Sequence, residues 1–498
     1  MEKIVSSYVM RESDANTCKN ITSSKELMMR AGKGIAESFV FDGKTAIVCG
    51  SGNNAGDGYV LAKLLFEKGV FVTIFRLSEK FSEDGRYYFD ICREAGIKSE
   101  MFDENTDLSG FDIIVDCIFG TGFSGDVRGM AAVAIDKINA SGKKVISADI
   151  NSGLSADSGL SKKCIVSDLT VSVGTYKQGH FLGMAKDVIK NKKNIDIGID
   201  IRGEYAMYCD KNDFLPLVKE RKNYSNKGDY GYVGIMGGCT EYSGAVKLAN
   251  MSLSALRSGC GVSKLIVPQS ISGSVSPYLL ESTLCPLSDD NGHIIFNKEA
   301  IDTATDRLAA LAVGMGWGAS AENEKILSYI LAEKDMPLII DADGLNTLSR
   351  MDKSILKKTR CKAVLTPHIK EFERLSGLSR EEVERDPVAN AKAFAKEYGV
   401  IVLLKGPATV VTDGNETFIT DRGCAGMATA GSGDVLSGVL AGLLGYMPYS
   451  ALTVCFGAYI AGRAGESAQE KNTSVAMTSG DTASSLPDVW KELINSKK

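Results

Sequence analysis

Histidine is scarce, with only three in 498 residues, so a histidine-built metal cage is not expected. The 12 cysteines are scattered and never form a CxxC pair, which argues against a zinc ribbon or a disulfide framework and for reduced thiols in a cytoplasmic protein. Proline is rare, at 10 residues against 52 glycines, a balance that suits many tight turns better than a disordered linker. There is no basic surplus: the net charge is −5 and the pI is near 5.6, so nucleic acid is not an expected partner. No uninterrupted apolar run is long enough for a membrane span. The most apolar region, Val435 to Ala464, is broken by Gly445, Pro448 and Gly457 and reads as two buried helices. The first residues, MEKIVSSYVMRESD, lack a charged segment followed by an apolar core, so no signal peptide and no membrane partner are expected.

What the chain has instead is glycine-rich loops at strand ends. The stretch from Cys424 to Gly438, CAGMATAGSGDVLSG, is a small-residue loop running into an apolar helix. Such a loop leaves backbone N–H groups pointing one way, and with the helix dipole they make an anion site. Asp434 stands at its lip, either as a helix cap or as a base beside a bound phosphate.

The first half alternates strands and helices. Helices are expected over residues 13–40, including Ser24–Ala36, and strands at Thr45–Cys49, Val70–Phe75, Phe111–Ile118 and Lys144–Ala148. Loops rich in glycine and acids follow three of these strands and carry Asp57, Asp116 and Asp149; in a parallel sheet they converge on one edge. Asn53 and Asn54 add amides that can read a ligand or hold a cation. An edge strand is expected at Asp196–Ile201, and a domain boundary near residue 212, giving domains 1–212 and 213–498.

The segments GSGNNAGDG, DCIFGTGFSGDVRG, DINSGLSADSG and DLTVSVGTYKQG resemble the loops of the NAD(P)H-hydrate epimerase family, over roughly residues 1–205. That resemblance implies that Asn53, Asn54, Ala55, Gly56 and Asp57, with Gly120, Thr121, Gly122, Phe123, Ser124, Gly125 and Asp126, bind the hydrated nicotinamide nucleotide. It implies a potassium ion on Asn54, Asp116 and Ser152, and Asp149 as the acid/base group. The chain departs from the family at Ser51, Ala55 and Asn151, where proline, glycine and proline are usual. These departures bear on loop rigidity rather than on the polar groups.

The second half repeats the pattern. GYVGIMGG (231–238), Ser263–Val267, Leu308–Val313, Leu338–Ile340, Ala363–Leu365 and Val400–Leu404 read as strands, and residues 242–261 as one long helix. Asp341 and Asp343, in DADGLN, read as turn and helix-start residues. His368 precedes a helix start as either a cap or a ligand group. Lys405, with Gly406, reads either as a group that reaches a phosphate or as an exposed strand-end lysine. The series KGDYG, YSGA, GMGWG, DADGLN, TPHIKEF, LLKG and MATAGSGD resembles the ribokinase-like family, most closely its NAD(P)H-hydrate dehydratase branch, over roughly residues 214–490. By that resemblance Ala245, Gly316, His368 and Asp434 contact the hydrated cofactor. Lys405, Gly406, Pro407, Ala408, Thr409 and Gly433 contact the adenine nucleotide. Glu371, three residues past His368, reads from its own setting as a group that helps hold Mg²⁺ through water near the phosphates. Met315, Trp317 and Ala430 depart from the usual residues.

The expected architecture is two doubly wound α/β/α domains, one Rossmann-like and one ribokinase-like. The expected activity is bifunctional repair: epimerisation of hydrated NADH and NADPH, and dehydration of the S form with ADP or ATP. Asp434 would act as base, and a homo-oligomer is expected. A ribokinase-like small-molecule kinase carrying a nucleotide-binding module stays open as an alternative. So does a first half that only binds.

Overall fold

The computed structural model describes residues 1–251 and 256–497. It divides into two compact units, Glu2–Ala206 and Met207–Lys498.

The first unit is built on a seven-stranded sheet, parallel throughout. Its spatial order is Lys98–Met101, Val72–Arg76, Thr45–Cys49, Ile113–Cys117, Lys144–Ala148, Leu169–Val173 and Lys192–Ile195. The central strands TAIVC and IIVDC are buried along their whole length. Alternate side chains go to opposite faces. Ile47, Val115 and Cys117 pack under helices Ser24–Ser38, Asn53–Glu67 and Glu83–Glu94, whereas Ala46, Val48 and Ile114 pack under helix Gly129–Ala140. The chain runs outward from Thr45–Cys49 in one direction and returns to start again at Ile113–Cys117. The loops after these two strands therefore splay apart and open a crevice.

The edge strand lies earlier than expected, at Lys192–Ile195 instead of Asp196–Ile201. The Asp196 carboxylate accepts the Gly198 N–H, and Gly198 takes φ +88°, so DIGIDI turns where it was expected to extend.

The second unit repeats the plan. Thr283–Leu287, Val262–Pro268, Tyr232–Met236, Ala310–Val313, Pro337–Ile340, Lys362–Leu365 and Ile401–Leu404 are parallel. Thr409–Thr412 and Thr417–Thr420 add an antiparallel meander. The apolar region forms two helices, Ser432–Leu444 and Ala451–Ala476; every residue from Val435 to Leu444 is buried. Among the described residues no helix is long and apolar enough to cross a membrane. The long helix expected over 242–261 is only Ser243–Asn250 followed by a short 3₁₀ turn at Leu256–Ser258; residues 252–255 lie outside the described residues.

Candidate active site

In the first unit a cavity of about 680 Å³ opens at the carboxyl ends of the central strands. Asn53, Asn54, Asp57, Gly120, Thr121, Gly122, Phe123, Ser124 and Asp149 all line it. Ala55 and Gly56 are buried on the inner side of their helix, where a side chain at Gly56 would strike Met28. Gly125 lines a smaller neighbouring cavity of about 370 Å³, and Asp126 pairs with Lys162 at 3.0 Å on the surface.

Asp149 is the centre of this site. It follows the strand Lys144–Ala148 and takes φ +63°, a backbone strain that only over-determined sites keep. One carboxylate oxygen accepts the Thr121 N–H and hydroxyl, each at 2.7 Å, and the other takes Lys177 Nζ at 2.5 Å. Lys177 is only 1% exposed and also donates to the Val173 carbonyl. Burial opposes ionisation of Asp149, but Lys177 and Thr121 overcome it and pull the carboxyl down to about 2. His180, fully buried, bonds the Asp149 carbonyl at 2.8 Å; burial and the Lys177 charge lower it to about 4, so it is neutral. Asp57 moves the other way: burial first, then the negative charges of Asp149 and Asp14, push it well above the usual carboxylate range. The two neighbouring carboxyls are thus shifted in opposite directions, the divergence that an acid/base pair needs. Lys177, in the segment DLTVSVGTYKQG, is a site residue that no local motif marks; the signal it offers is a lysine four residues past the strand Leu169–Val173.

Behind Asp149 lies a second polar cluster. Asp116 is wholly buried and accepts hydrogen bonds from Ser152 Oγ, Ser152 N, Ser147 Oγ and Ile118 N. Asn54 Nδ2 donates to the carbonyls of Phe119 and Ala148, which fixes the amide orientation and leaves its buried Oδ1 without a partner among the described residues. An orphaned oxygen, a buried carboxylate and a hydroxyl joined through Phe119 form an oxygen-rich set that fits a hard monovalent cation.

Asn151, where the family has proline, is buried and tightly held. Its Nδ2 donates to Ile165 O, Ser167 Oγ and Val188 O, and its Oδ1 accepts from the Thr170 and Ser167 hydroxyls. The side chain stiffens the loop by hydrogen bonds in place of a ring.

In the second unit the strand ends bring together Asp341, His368, Glu371, Lys405 and Asp434. Lys405 Nζ donates to Asp341 Oδ1 at 2.8 Å and lies 3.8 Å from Glu371. Ser437 holds the other Asp341 oxygen at 2.8 Å. Asp341, read from sequence as a turn residue, is thus the hub of the site, and the adjacent Ala342 takes φ +49°. Asp343 does keep a local role: it accepts the Gly318 N–H of the GMGWG loop. Burial, then the nearby Asp341 charge, raises Asp434 to about 7. Burial opposes the Lys405 charge, but Asp341, Glu371 and Asp434 outweigh it and raise the ammonium above its ordinary range.

Asp434 stands in the first turn of helix Ser432–Leu444, capped by Gly431 at φ +92° with no side-chain cap. The first-turn N–H groups therefore face outward for an anion. Gly433 sits above the hub; a Cβ there would lie 3.3 Å from Asp341 and 3.4 Å from Lys405. Gly406 and Pro407 are exposed, Ala408 is buried, and Thr409 begins a strand. Gly316, at φ +62°, leaves room for Ala245, whose methyl a Cβ would meet at 3.0 Å. Met315 and Trp317 are buried.

His368 caps helix Ile369–Ser376: its Nδ1 accepts the Glu371 N–H, and Glu371 Oε2 accepts the His368 N–H. The His368 side chain is half-exposed, and its Nε2 lies 3.7 Å from Glu371 Oε1. Burial and Lys405 lower its pKa. Glu371 is therefore committed to a cap beside a cation. Among the described residues no group of three His, Cys, Asp or Glu is placed to hold a metal.

The match to known families follows this division. Residues 233–488 match the family model described as NAD(P)H-hydrate dehydratase, and residues 24–179 match the YjeF-related protein N-terminus. A bifunctional NAD(P)H-hydrate repair enzyme of Moorella thermoacetica is 32% identical over 494 residues, covering 94% of this chain and 92% of its own. The chain belongs to the bifunctional NAD(P)H-hydrate repair enzyme family. Further relatives of the same name come from Thermofilum pendens, 33% identical with 94% and 92% covered, and Escherichia coli K12, 30% identical with 95% and 90% covered. The ribokinase-like fold is shared with a solved ADP/ATP-dependent NAD(P)H-hydrate dehydratase of Bacillus subtilis, at 24% identity and TM-score 0.50, which covers 58% of this chain and 99% of its own. An Enterococcus faecalis ribokinase-like protein fits equally, at 24% identity and TM-score 0.51, with 58% and 96% covered. In this repair-enzyme family, the two clusters described above fall one in each matched region.

Proposed function

We propose that the first unit interconverts the R and S forms of hydrated NADH and NADPH, and that the second dehydrates the S form with ADP or ATP as phosphoryl donor. The observation that carries this reading is the three shifted carboxyls, Asp149 against Asp57 in one unit and Asp434 in the other, each beside a loop suited to a phosphate-bearing substrate.

In the first unit Asp149 accepts the proton of the ring hydroxyl as the adjacent carbon–nitrogen bond opens to an aldehyde. Asp57 supplies a proton to the ring nitrogen. Reclosure on the other face inverts the carbon. Asn54, Asp116 and Ser152 would hold a potassium ion, which would supply positive charge behind the substrate loop.

In the second unit Asp434 takes the proton of the ring hydroxyl. Its oxygen attacks the terminal phosphorus, and the bond to AMP (from ADP) or ADP (from ATP) breaks. The ring nitrogen's lone pair then expels phosphate, and loss of a proton from the neighbouring carbon restores NADH or NADPH. Lys405 and the first-turn N–H groups of helix Ser432–Leu444 stabilise charge on the transferring group. Any magnesium would enter on the nucleotide phosphates.

The test follows absorbance at 340 nm and free phosphate on a mixture of R and S hydrates with Mg²⁺ and ADP or ATP. Full recovery of reduced cofactor, with one phosphate released per turnover, is expected. A stable phosphorylated product without reduced cofactor would overturn the reading in favour of a kinase.

A further inference from the structure

We propose that Arg11 receives a phosphate group of the dinucleotide substrate in the first unit, an assignment that rests on the epimerase reading. Ser7, Arg11, Asp14 and Cys18 recur at spacings of four, three and four along helix Ser7–Asn20, so one face of that helix walls the cavity that holds Asp149. Arg11 and Ser7 also line the neighbouring cavity of about 370 Å³, as does the loop Thr121–Gly125. Arg11 thus stands where the two cavities meet, opposite the glycine-rich loop.

The charges say which end of a substrate goes where. The larger cavity is lined by the carboxylates Asp14, Asp57, Asp84 and Asp149 and by two cations, Arg11 and Lys177. Lys177 is buried and spent on Asp149. Arg11 is exposed, and among the described residues no carboxylate pairs with it. The smaller cavity contains one further acid, Asp157, whose two oxygens are taken by the Ser7 N–H and hydroxyl at 2.6 Å. That clasp pins the start of the helix and so fixes where Arg11 sits. A dinucleotide with its hydrated ring at Asp149 must carry its phosphates out past the acids, and Arg11 is the cation it meets at the junction. The guanidinium fork matches phosphate oxygens, and Thr121, Gly122 and Ser124 of the loop line the same two cavities, with Phe123 among them.

Two phosphates could fill this place: the bridging pyrophosphate, common to both hydrates, or the ribose phosphate found only in hydrated NADPH. The experiment measures R-to-S interconversion by the full chain, without nucleotide so that dehydration is idle, on each hydrate separately. Arg11→Ala is expected to raise KM about ten-fold, the scale of one charge-assisted hydrogen bond at an exposed site, while kcat stays within about two-fold. Arg11→Lys is expected to fall between, and the wild-type KM should climb with salt while that of Arg11→Ala should not. A rise for both hydrates assigns the pyrophosphate; a rise for hydrated NADPH alone assigns the ribose phosphate. An unchanged KM for both, or a fall in kcat alone, overturns the assignment while leaving the epimerase reading intact. A wild-type chain that interconverts neither overturns both.

Discussion

At the scale of single residues, the two sites depend on a few buried polar side chains with little redundancy. Lys177→Met should abolish epimerisation and cost about 3–5 kcal/mol of stability, because it leaves Asp149 charged, largely buried and unpaired; denaturant melts and the interconversion assay check both. The sign of the pH effect follows. Asp149 is depressed from 3.8 to about 2, so the pair stabilises the fold above pH ~4 and that contribution is lost as pH falls toward 2. Asn151→Pro would install the residue usual in the family, yet it should destabilise by at least about 3 kcal/mol, since the carbonyl and hydroxyl partners of the amide are left buried. An unchanged melting curve would show that those hydrogen bonds carry nothing. Asp434 is raised from 3.8 to about 7, so the folded chain binds that proton more tightly than the unfolded one and loses stability as pH rises from about 4 to 7. Asp434→Asn should therefore abolish dehydration but raise the melting temperature at pH 8, with the gain shrinking toward pH 4. Dehydration by the native chain should rise with pH and level off above about 7, the limb of the profile that reports a general base.

At the scale of elements, function rests on how strands end. A strand that stops at a glycine or takes one left-handed residue turns its loop into the crevice. The same requirement holds where a loop enters a helix: Gly431, the cap of helix Ser432–Leu444, has φ +92°, and a Cβ there would lie 2.5 Å from Leu248 Cδ1. Gly431→Ala should displace the start of helix Ser432–Leu444 and cut dehydration at least about ten-fold, from strain and clash together. Epimerisation should be unaffected, and measuring both activities on one preparation separates this from misfolding. The strands themselves were legible as apolar runs because parallel strands are buried on both faces. The strand expected at Asp196–Ile201 was not: its pattern alternates well, but one carboxylate-to-amide turn at Gly198 outweighs it.

At the scale of the whole chain, two doubly wound units each carry their own cluster of buried polar groups, and the proposed roles separate with them. Asp149→Asn should leave dehydration of the S hydrate at its native rate, and Asp434→Asn should leave interconversion intact. Recovery of cofactor from a mixed sample by Asp149→Asn should stop near the S fraction, and an equimolar mixture of the two variants should restore full recovery. Absorbance at 340 nm reads every case, and loss of both activities in either variant would show that the units do not act independently.

The sequence by itself determined the layered α/β plan and the glycine-rich loops in which Asp149 and Asp434 stand, because these are local: apolar runs, turn residues and short motifs within a few positions of one another. Tertiary structure decided the rest. It chose Lys177 as the partner of Asp149, 28 residues away, and Asp341 as the hub beneath Lys405, 64 residues away. It turned Ala55 and Gly56 inward, committed Glu371 to a helix cap, and made Asn151 a brace. In each case the deciding quantity is burial of charge or of hydrogen-bonding groups, which exists only once distant strands lie side by side.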